Sequence, residues 1–334
     1  MSVTKSFRCY LVTKTDDGTF RGEITERTID DLPPGEVLVR VAYSSLNYKD
    51  ALSATGHPGV TRKFPHVPGI DAAGTVAESR SPNWRPGDEV IVTSYDLGQN
   101  TWGGYGQYIR VPAGWIVRRP PGLSLRESMI LGTAGFTAGL SLTALSEHGV
   151  SPDGGEVLVT GASGGVGSIA VALLAKAGYR AVASTGKPAA HELLTRLGAS
   201  RVVGREEADD ASAKPMLAER WAGAIDTVGG RTLATVVRSL RRGGAVAACG
   251  LVGGTDLALT VYPFILRGAR LIGIDSAECP HDRRVAVWQR LADEWKLEKL
   301  DELATEVTLA ELGPHIEKIL QGQTIGRVLV SLAS

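Results

Sequence analysis

The chain has 334 residues, and its 36 lysines and arginines balance its 36 aspartates and glutamates. This length allows one large or two ordinary domains, and the balanced charge argues against nucleic acid or an anionic membrane surface as a partner. The three cysteines, Cys9, Cys249 and Cys279, are odd in number and far apart, which excludes a disulfide framework. We identify neither a secretory signal pattern nor an apolar run of membrane-spanning length. We therefore expect a cytoplasmic protein.

The first 120 residues are rich in predicted short strands. Alternating or apolar runs cover residues 36–43, 69–77, 88–92 and 105–111, and glycines and prolines interrupt the chain between them. Short strands separated by such turns favour a partly open β-barrel. We therefore predict a β-rich first domain over residues 1–125.

The pattern changes near residue 125, where helical and strand-like segments begin to alternate. An apolar helix is predicted over residues 126–145. Six strands follow, separated by helical segments, at residues 157–159, 179–184, 200–203, 224–228, 244–250 and 270–275. This order predicts a doubly wound parallel α/β sheet over residues 126–276. A helix over residues 283–300 and a strand over residues 326–331 would carry the chain away, so residues 277–334 are predicted to return to the first domain.

Residues 161–167 form a glycine-rich turn between a predicted strand and a predicted helix. They read Gly-Ala-Ser-Gly-Gly-Val-Gly, and the helix is expected to continue over residues 168–176. Gly161 would allow a tight turn, Gly164 a bare backbone against pyrophosphate, and Gly167 close packing of the helix on the strand. The helix N-terminus adds free N–H groups and a positive dipole end for phosphates. The motif therefore predicts a dinucleotide-binding site.

The end of the next strand indicates which dinucleotide binds. NAD sites usually carry an acidic residue about 20 residues after the first glycine, where it accepts from the ribose 2′-hydroxyl. This chain has Ser184, Thr185, Gly186 and Lys187 there, and no carboxylate that would repel a 2′-phosphate. Two hydroxyls and an ammonium suit a phosphate, and Arg205 is a candidate second cation. We therefore predict NADPH; the alternative is that both cations are ordinary solvated surface charges.

The order of a β-rich domain, a dinucleotide-binding unit and a C-terminal return resembles the medium-chain dehydrogenase/reductase superfamily over essentially the whole chain. The landmarks are residues 44–50 (Ser-Ser-Leu-Asn-Tyr-Lys-Asp), 68–71 (Pro-Gly-Ile-Asp), 87–90 (Gly-Asp-Glu-Val), 103–107 (Gly-Gly-Tyr-Gly-Gln) and 132–138 (Gly-Thr-Ala-Gly-Phe-Thr-Ala). The resemblance implies an α/β protein with a GroES-like partly open β-barrel as its catalytic domain and a Rossmann sheet that binds NADP.

The same resemblance bears on metal binding. Zinc alcohol dehydrogenases of this superfamily carry a cysteine and a Gly-His-Glu run where this chain has Asn47 and Ile70-Asp71. The cysteine cluster of their structural zinc is missing as well, because no cysteine lies between Cys9 and Cys249. Zinc needs three or four nitrogen or sulfur ligands, which scattered residues do not supply. We therefore predict that the protein binds no metal.

Several segments are most similar to the YhdH/YhfP-type, quinone oxidoreductase-like group, whose better-defined members are NADPH-dependent acrylyl-CoA reductases. These segments are residues 44–52, 159–167, 221–229, 247–251 and 263–267. The resemblance implies NADPH contacts from Tyr48, Ser163, Gly164, Gly165, Val166, Thr185, Gly186, Lys187, Arg205, Leu251, Ile265 and Ser276. It also implies a homodimer formed through the edge strand near residues 270–275.

Tyr48 and Asn47 are the candidate catalytic residues. A phenol can act as a general acid, so Tyr48 is predicted to donate a proton or to line the nicotinamide side of the site; the alternative is that it caps the barrel. Asn47 and Asp50 could serve only to fix their turn, and Asp71 could be structural. Cys249 is expected to be a small buried residue and not a nucleophile.

The sequence leaves three functions open. The first is NADPH-dependent reduction of the C=C bond of a small 2-enoyl-CoA, acrylyl-CoA to propionyl-CoA, by hydride addition at the β-carbon without a metal. The second is a quinone or enone oxidoreductase, which needs only a flat conjugated acceptor. The third is an NADPH-binding sensor without turnover. The fold alone does not choose among them.

Overall fold

The structure is a computed structural model that describes residues 5–332. The strands in chain order are β1 (Ser6–Lys14), β2 (Phe20–Thr28), β3 (Val37–Leu46), β4 (Asp71–Ser79), β5 (Glu89–Thr93), β6 (Tyr108–Val111), β7 (Ile116–Arg118), β8 (Glu156–Val159), β9 (Arg180–Ser184), β10 (Arg201–Val203), β11 (Trp221–Asp226), β12 (Leu240–Ala248), β13 (Arg270–Gly273), β14 (Ala304–Thr308) and β15 (Arg327–Ser331). The helices are α1 (Tyr48–Ala54), α2 (Leu125–Glu147), α3 (Gly165–Lys176), α4 (His191–Arg196), α5 (Gly230–Ser239), α6 (Tyr262–Arg267), α7 (His281–Ala292) and α8 (Leu312–Leu320).

The described chain divides into two units. The first contains residues 5–133, 277–293 and 303–332, and the second contains residues 134–276 and 294–302. The first unit therefore takes in most of the C-terminal segment, and the second unit also includes a short stretch after α7.

The first unit is built on a seven-stranded sheet. Its strand order is β14-β15-β3-β4-β5-β7, with β6 also pairing with β3. Strand β3 is central because it pairs with β15, β4 and β6, and its Val37, Val39 and Val41 are buried in the core. The C-terminal strand β15 pairs antiparallel with β3, which places Leu329 opposite Ser45. This pairing makes β15 part of the sheet of the first unit.

The second unit is a six-stranded parallel sheet. Its order is β10-β9-β8-β11-β12-β13, which confirms the predicted doubly wound arrangement. The central strand β8 carries a continuous apolar run that is fully buried, as expected for a parallel strand covered on both faces. Strand order reverses between β8 and β11, and ligands of such sheets bind outside the carboxyl ends of the strands at that reversal.

The structure corrects two sequence predictions. Helix α7 ends at Ala292 and does not continue to residue 300, because Asp293 leaves the helical conformation (φ −121°, ψ −99°). Trp295 continues the apolar spacing but lies beyond the helix, where it is still buried. Helix α2 is long and apolar enough to span a membrane by length and composition, which we did not expect. Because 89% of its most apolar window is buried inside the protein, α2 is an interior helix.

Candidate functional site

The glycine turn of the second unit has the conformation that the motif predicts. Gly161 has φ +59°, a value that favours glycine, and forms the tight turn after β8. A side chain at Gly167 would lie 2.7 Å from the Ala162 Cα, so only glycine allows α3 to pack this closely. Gly164 is the N-cap of α3, and the first N–H groups of the helix have no intrahelical acceptor. These groups are a candidate phosphate cradle.

The residues after β9 are held in place by buried hydroxyls. The Thr185 hydroxyl donates to Ser163 Oγ over 2.9 Å and accepts from the Lys187 backbone N–H over 3.2 Å. The Ser184 hydroxyl donates to the Gly204 carbonyl over 3.3 Å. Thr185 thus joins this segment to the glycine turn, whereas Ser184 fixes it to the end of β10.

Two cations lie together at this end of the sheet. Arg205 packs on Gly186, where even a methyl group would collide with its guanidinium. Partial burial and the charge of Arg205 lower the pKa of Lys187. Two cationic side chains close together can both donate to one phosphate, so this pair is suited to binding one.

The other predicted cofactor residues of the second unit are spread over its C-terminal part. Leu251 and Ile265 are 58% and 67% exposed, which is unusual for large apolar side chains, and Ser276 is half-buried. Cys249 lies next to this region, and its Sγ donates to the Asp226 carbonyl oxygen over 3.4 Å. Burial, together with the charge of Asp226, raises the pKa of Cys249 to about 12. A thiol with this pKa is protonated at neutral pH, which fits the expected absence of a nucleophilic role.

Tyr48 and Asn47 lie in the first unit, at the start of α1. Tyr48 is the first helical residue and is 36% exposed, while Asn47 is the N-cap and is buried. The Asn47 amide donates to Asp71 Oδ2 over 2.8 Å and to Asp50 Oδ2 over 3.1 Å, and its oxygen accepts from Arg327 Nη1 over 3.2 Å. Both amide hydrogens are therefore used inside the protein, and Tyr48 is the member of the pair that solvent reaches.

A largely buried polar cluster lies next to this turn, and it consists of Ser45, Asn47, Asp50, Asp71, Thr133 and Arg327. Asp71 accepts from Ser45 Oγ over 2.6 Å, from Asn47, and from the Thr133 hydroxyl and backbone N–H over 2.6 and 3.0 Å. The Arg327 guanidinium lies 3.9 Å from Asp71 Oδ2 and donates to Ser45 Oγ over 2.8 Å. Asp71 and Arg327 are 0% and 3% exposed, so each charge depends on the other and on these hydrogen bonds.

Asp50 adds a second carboxylate to the cluster. Its oxygens accept from the backbone N–H groups of Asn47 and Ile70 over 2.8 and 2.7 Å. Burial and the charge of Asp71 nevertheless raise the pKa of Asp50 to about 7. The cluster therefore carries two acids and one guanidinium, and folding favours the protonated form of Asp50.

This raised pKa predicts a pH dependence of stability. A carboxyl whose pKa rises on folding stabilises the protein fully below its unfolded value near 3.8, and that contribution is lost as the pH approaches 7. We expect wild type to lose stability relative to Asp50→Asn as the pH rises. The unfolding free energy of wild type minus that of Asp50→Asn should fall by about 1–3 kcal/mol from pH 5 to pH 8. Urea denaturation at several pH values measures it. A difference that is constant or rises with pH would contradict the assignment.

Sequence reasoning did not identify Arg327, Ser45 or Thr133 as parts of a site. The signal available for Arg327 was its place in the strand-like run Arg-Val-Leu-Val, because an arginine at a buried strand position needs a buried acid. Nothing local to Ser45 or Thr133 distinguishes them from ordinary polar residues.

Zinc does not fit the residues present. Within residues 5–332, no three His, Cys, Asp or Glu side chains lie close enough together to hold a metal ion. Asn47 and Asp71, which stand where zinc relatives carry ligands, are hydrogen-bonded to each other with a guanidinium beside them.

Comparisons with known proteins agree with this architecture. Residues 33–121 match the alcohol dehydrogenase GroES-like domain, and residues 165–293 match the zinc-binding dehydrogenase domain. These matches define the class as a dehydrogenase/reductase built from a GroES-like unit and a Rossmann-type sheet, which confirms the predicted fold.

Three relatives are similar over nearly the whole chain. The acrylyl-CoA reductase AcuI of Ruegeria pomeroyi is 45% identical, over 98% of this chain and 99% of that protein. The crystal structure of Escherichia coli YhdH with bound NADPH is 48% identical, covers 97% of this chain and 100% of that chain, and superposes with a TM-score of 0.93. The Bacillus subtilis YhfP structure with NAD bound is 46% identical, covers 98% and 100%, and gives a TM-score of 0.95. This chain belongs to the YhdH/YhfP acrylyl-CoA reductase group of the medium-chain dehydrogenase/reductase family.

Proposed function

We propose that the protein is an NADPH-dependent acrylyl-CoA reductase that reduces acrylyl-CoA to propionyl-CoA. The observation that carries the proposal is the 45% identity to an acrylyl-CoA reductase over 98% of the chain. The cluster of Lys187 and Arg205 supports NADPH as the cofactor, as does the NADPH bound to Escherichia coli YhdH. The relative with bound NAD makes this preference a property to be measured.

The residues of the second unit fit a bound dinucleotide phosphate. Ser163, Gly164, Gly165 and Val166 would hold the pyrophosphate through the N-terminus of α3. Thr185, Gly186, Lys187 and Arg205 would hold the 2′-phosphate. Leu251, Ile265 and Ser276 are proposed to complete the site, and the exposure of Leu251 and Ile265 leaves their apolar surfaces available for contact.

The proposed chemistry needs little from the protein beyond positioning. Bound NADPH supplies a hydride to the β-carbon, and the α-carbon then takes a proton. The exposed Tyr48 is proposed to line the nicotinamide side and to contribute modestly to that protonation. Asn47 is proposed to hold Tyr48 in position and not to donate a proton itself, because both of its amide hydrogens are already in hydrogen bonds to Asp50 and Asp71. Orientation and exclusion of water are the main contributions expected of the chain.

We assign catalysis to the GroES-like part, residues 1–125 with the return over 277–334, and NADP binding to residues 126–276.

A cytoplasmic homodimer is part of the proposal. Strand β13 is an edge of the six-stranded sheet, and its Leu271 is 37% exposed. An open edge with exposed apolar residues is suited to pairing with a second copy. Sedimentation equilibrium should give twice the chain mass, and a monomer would contradict the dimer.

A parallel assay tests the proposed function. The purified protein is mixed with NADPH and acrylyl-CoA, crotonyl-CoA or a simple quinone, and the loss of NADPH absorbance is followed. We expect acrylyl-CoA to give the highest kcat/KM. A quinone as the better acceptor would favour the oxidoreductase alternative, and NADPH binding without turnover of any acceptor would favour a sensor.

A further inference from the structure

We propose that Asp71 and Arg327 are positioning residues that act through Asn47 to hold Tyr48 in the position from which it would contact cofactor and substrate. The inference rests on the proposed function, because Tyr48 is its proposed cofactor and substrate contact. Both Asp71 and Arg327 are buried, so neither is expected to touch a ligand.

Every polar atom of the Asn47 side chain has hydrogen-bond partners inside the protein. One of its amide hydrogens goes to Asp71, the other to Asp50, and its oxygen accepts from Arg327. An amide held by an anion on one side and a cation on the other has one favourable orientation, because a flip would set donor against donor. Asn47 is therefore fixed more firmly than an N-cap requires.

The groups around Asn47 come from separate strands of the first unit. Asp71 begins β4, Arg327 begins β15 and Ser45 lies in β3, so three strands of one sheet meet at Asn47. The backbone of β15 pairs with β3, and its Arg327 Nη1 also donates to the Leu46 carbonyl over 3.2 Å. The turn between β3 and α1 is thus tied to the central strands of the first unit.

The position of Tyr48 depends on that of Asn47. Tyr48 is the next residue and opens α1, and its backbone direction follows from the conformation of Asn47 (φ −120°, ψ 159°). A displacement of about 1 Å at a positioning residue can cost roughly 100-fold in rate. Loosening Asn47 should therefore displace Tyr48, which follows it directly and is the first residue of α1.

A double-mutant cycle tests the inference. We expect Asp71→Asn to lower kcat with acrylyl-CoA by roughly 10- to 100-fold. If Asp71 acts through Tyr48, the same substitution should cost less than about threefold once Tyr48→Ala is present. A loss that is equally large in both backgrounds would show a general structural role and overturn the inference, as would a Tyr48→Ala variant with wild-type kinetics.

Ser45→Ala provides a milder second variant in case Asp71→Asn does not fold. It removes the hydroxyl that joins Asp71 to Arg327, and it should show the same dependence on Tyr48. Asp88→Asn is the matched control: it is the same chemical change in the same unit, in a surface pair with Arg118, and it should leave kcat unchanged.

A readout without cofactor separates this inference from the proposed function. In the ligand-free protein, Asp71→Asn should make hydrogen exchange faster in the peptide containing Asn47 and Tyr48. Strands β1 and β2, which pair antiparallel with each other, should keep their wild-type protection. Failure of wild type to reduce acrylyl-CoA would reject the proposed function alone. Unchanged exchange at Asn47 and Tyr48 would reject the positioning role alone.

Discussion

Replacing Gly132 by alanine should destabilise the first unit and abolish most activity. Gly132 interrupts α2 with φ 51° and ψ −155°, a region that is essentially restricted to glycine and costs other residues about 1–3 kcal/mol. An alanine Cβ would also lie 2.5 Å from Asp71 Oδ2 and 2.6 Å from Ser45 Oγ. Displacing a buried hydrogen bond to a charged group adds about 1–3 kcal/mol. We therefore expect a loss of about 2–6 kcal/mol in unfolding free energy, measured by urea denaturation.

Gly18→Ala separates the two causes. Gly18 also has a positive φ (+83°) and lies in the first unit, but an alanine Cβ there would have no atom of residues 5–332 within 4 Å beyond its own chain neighbours. It should lose only the backbone contribution, about 1–2 kcal/mol, and keep wild-type kcat. Equal losses for the two variants would mean that Gly132 matters for its backbone alone and that the polar cluster tolerates an added methyl group.

Lys187→Ala should remove most of the preference for NADPH over NADH. A charge-assisted contact to phosphate contributes about 1.5–3 kcal/mol, so the dissociation constant for NADPH should rise by roughly 10- to 100-fold. NADH has no 2′-phosphate, and its affinity should change by less than about threefold. Fluorescence titration with both cofactors measures the effect.

Lys176→Ala is the control for Lys187. Lys176 is an exposed lysine at the C-terminal end of α3, opposite the phosphate cradle, and its loss should leave both affinities unchanged. Equal affinity of the wild-type protein for NADPH and NADH would contradict the assignment of Lys187 and Arg205 to the 2′-phosphate.

The parts of the fold that could be predicted depend on local signals. The turn at Gly161 and the apolar strand β8 are encoded within a few adjacent residues, and the structure has both where the sequence predicts them. The predicted helix over residues 283–300 is too long because Trp295 continues the apolar spacing of Val287 and Leu291 after α7 has ended. Periodicity shows which residues are buried, but it does not show where the backbone leaves the helical conformation.

The polar cluster could not be predicted because its partners are distant in the chain. Asn47 and Asp71 are 24 residues apart, and Ser45 and Arg327 are 282 residues apart. No short motif links them, and each residue type is common on surfaces. Only the pairing of β15 with β3 brings Arg327 to the start of α1. Asn47, Tyr48, Asp50 and Asp71 could be singled out from their motifs. Their contacts with Ser45, Thr133 and Arg327 required the tertiary structure.

The most direct test of the proposed activity follows the hydride itself. The wild-type protein is incubated with acrylyl-CoA and NADPH that carries deuterium at the transferable C4 position, and the acyl product is analysed by mass spectrometry and NMR. The proposed function predicts propionyl-CoA with one deuterium at C3, the former β-carbon, and a solvent-derived proton at C2. Deuterium at C2, or NADPH oxidation without propionyl-CoA, would contradict it.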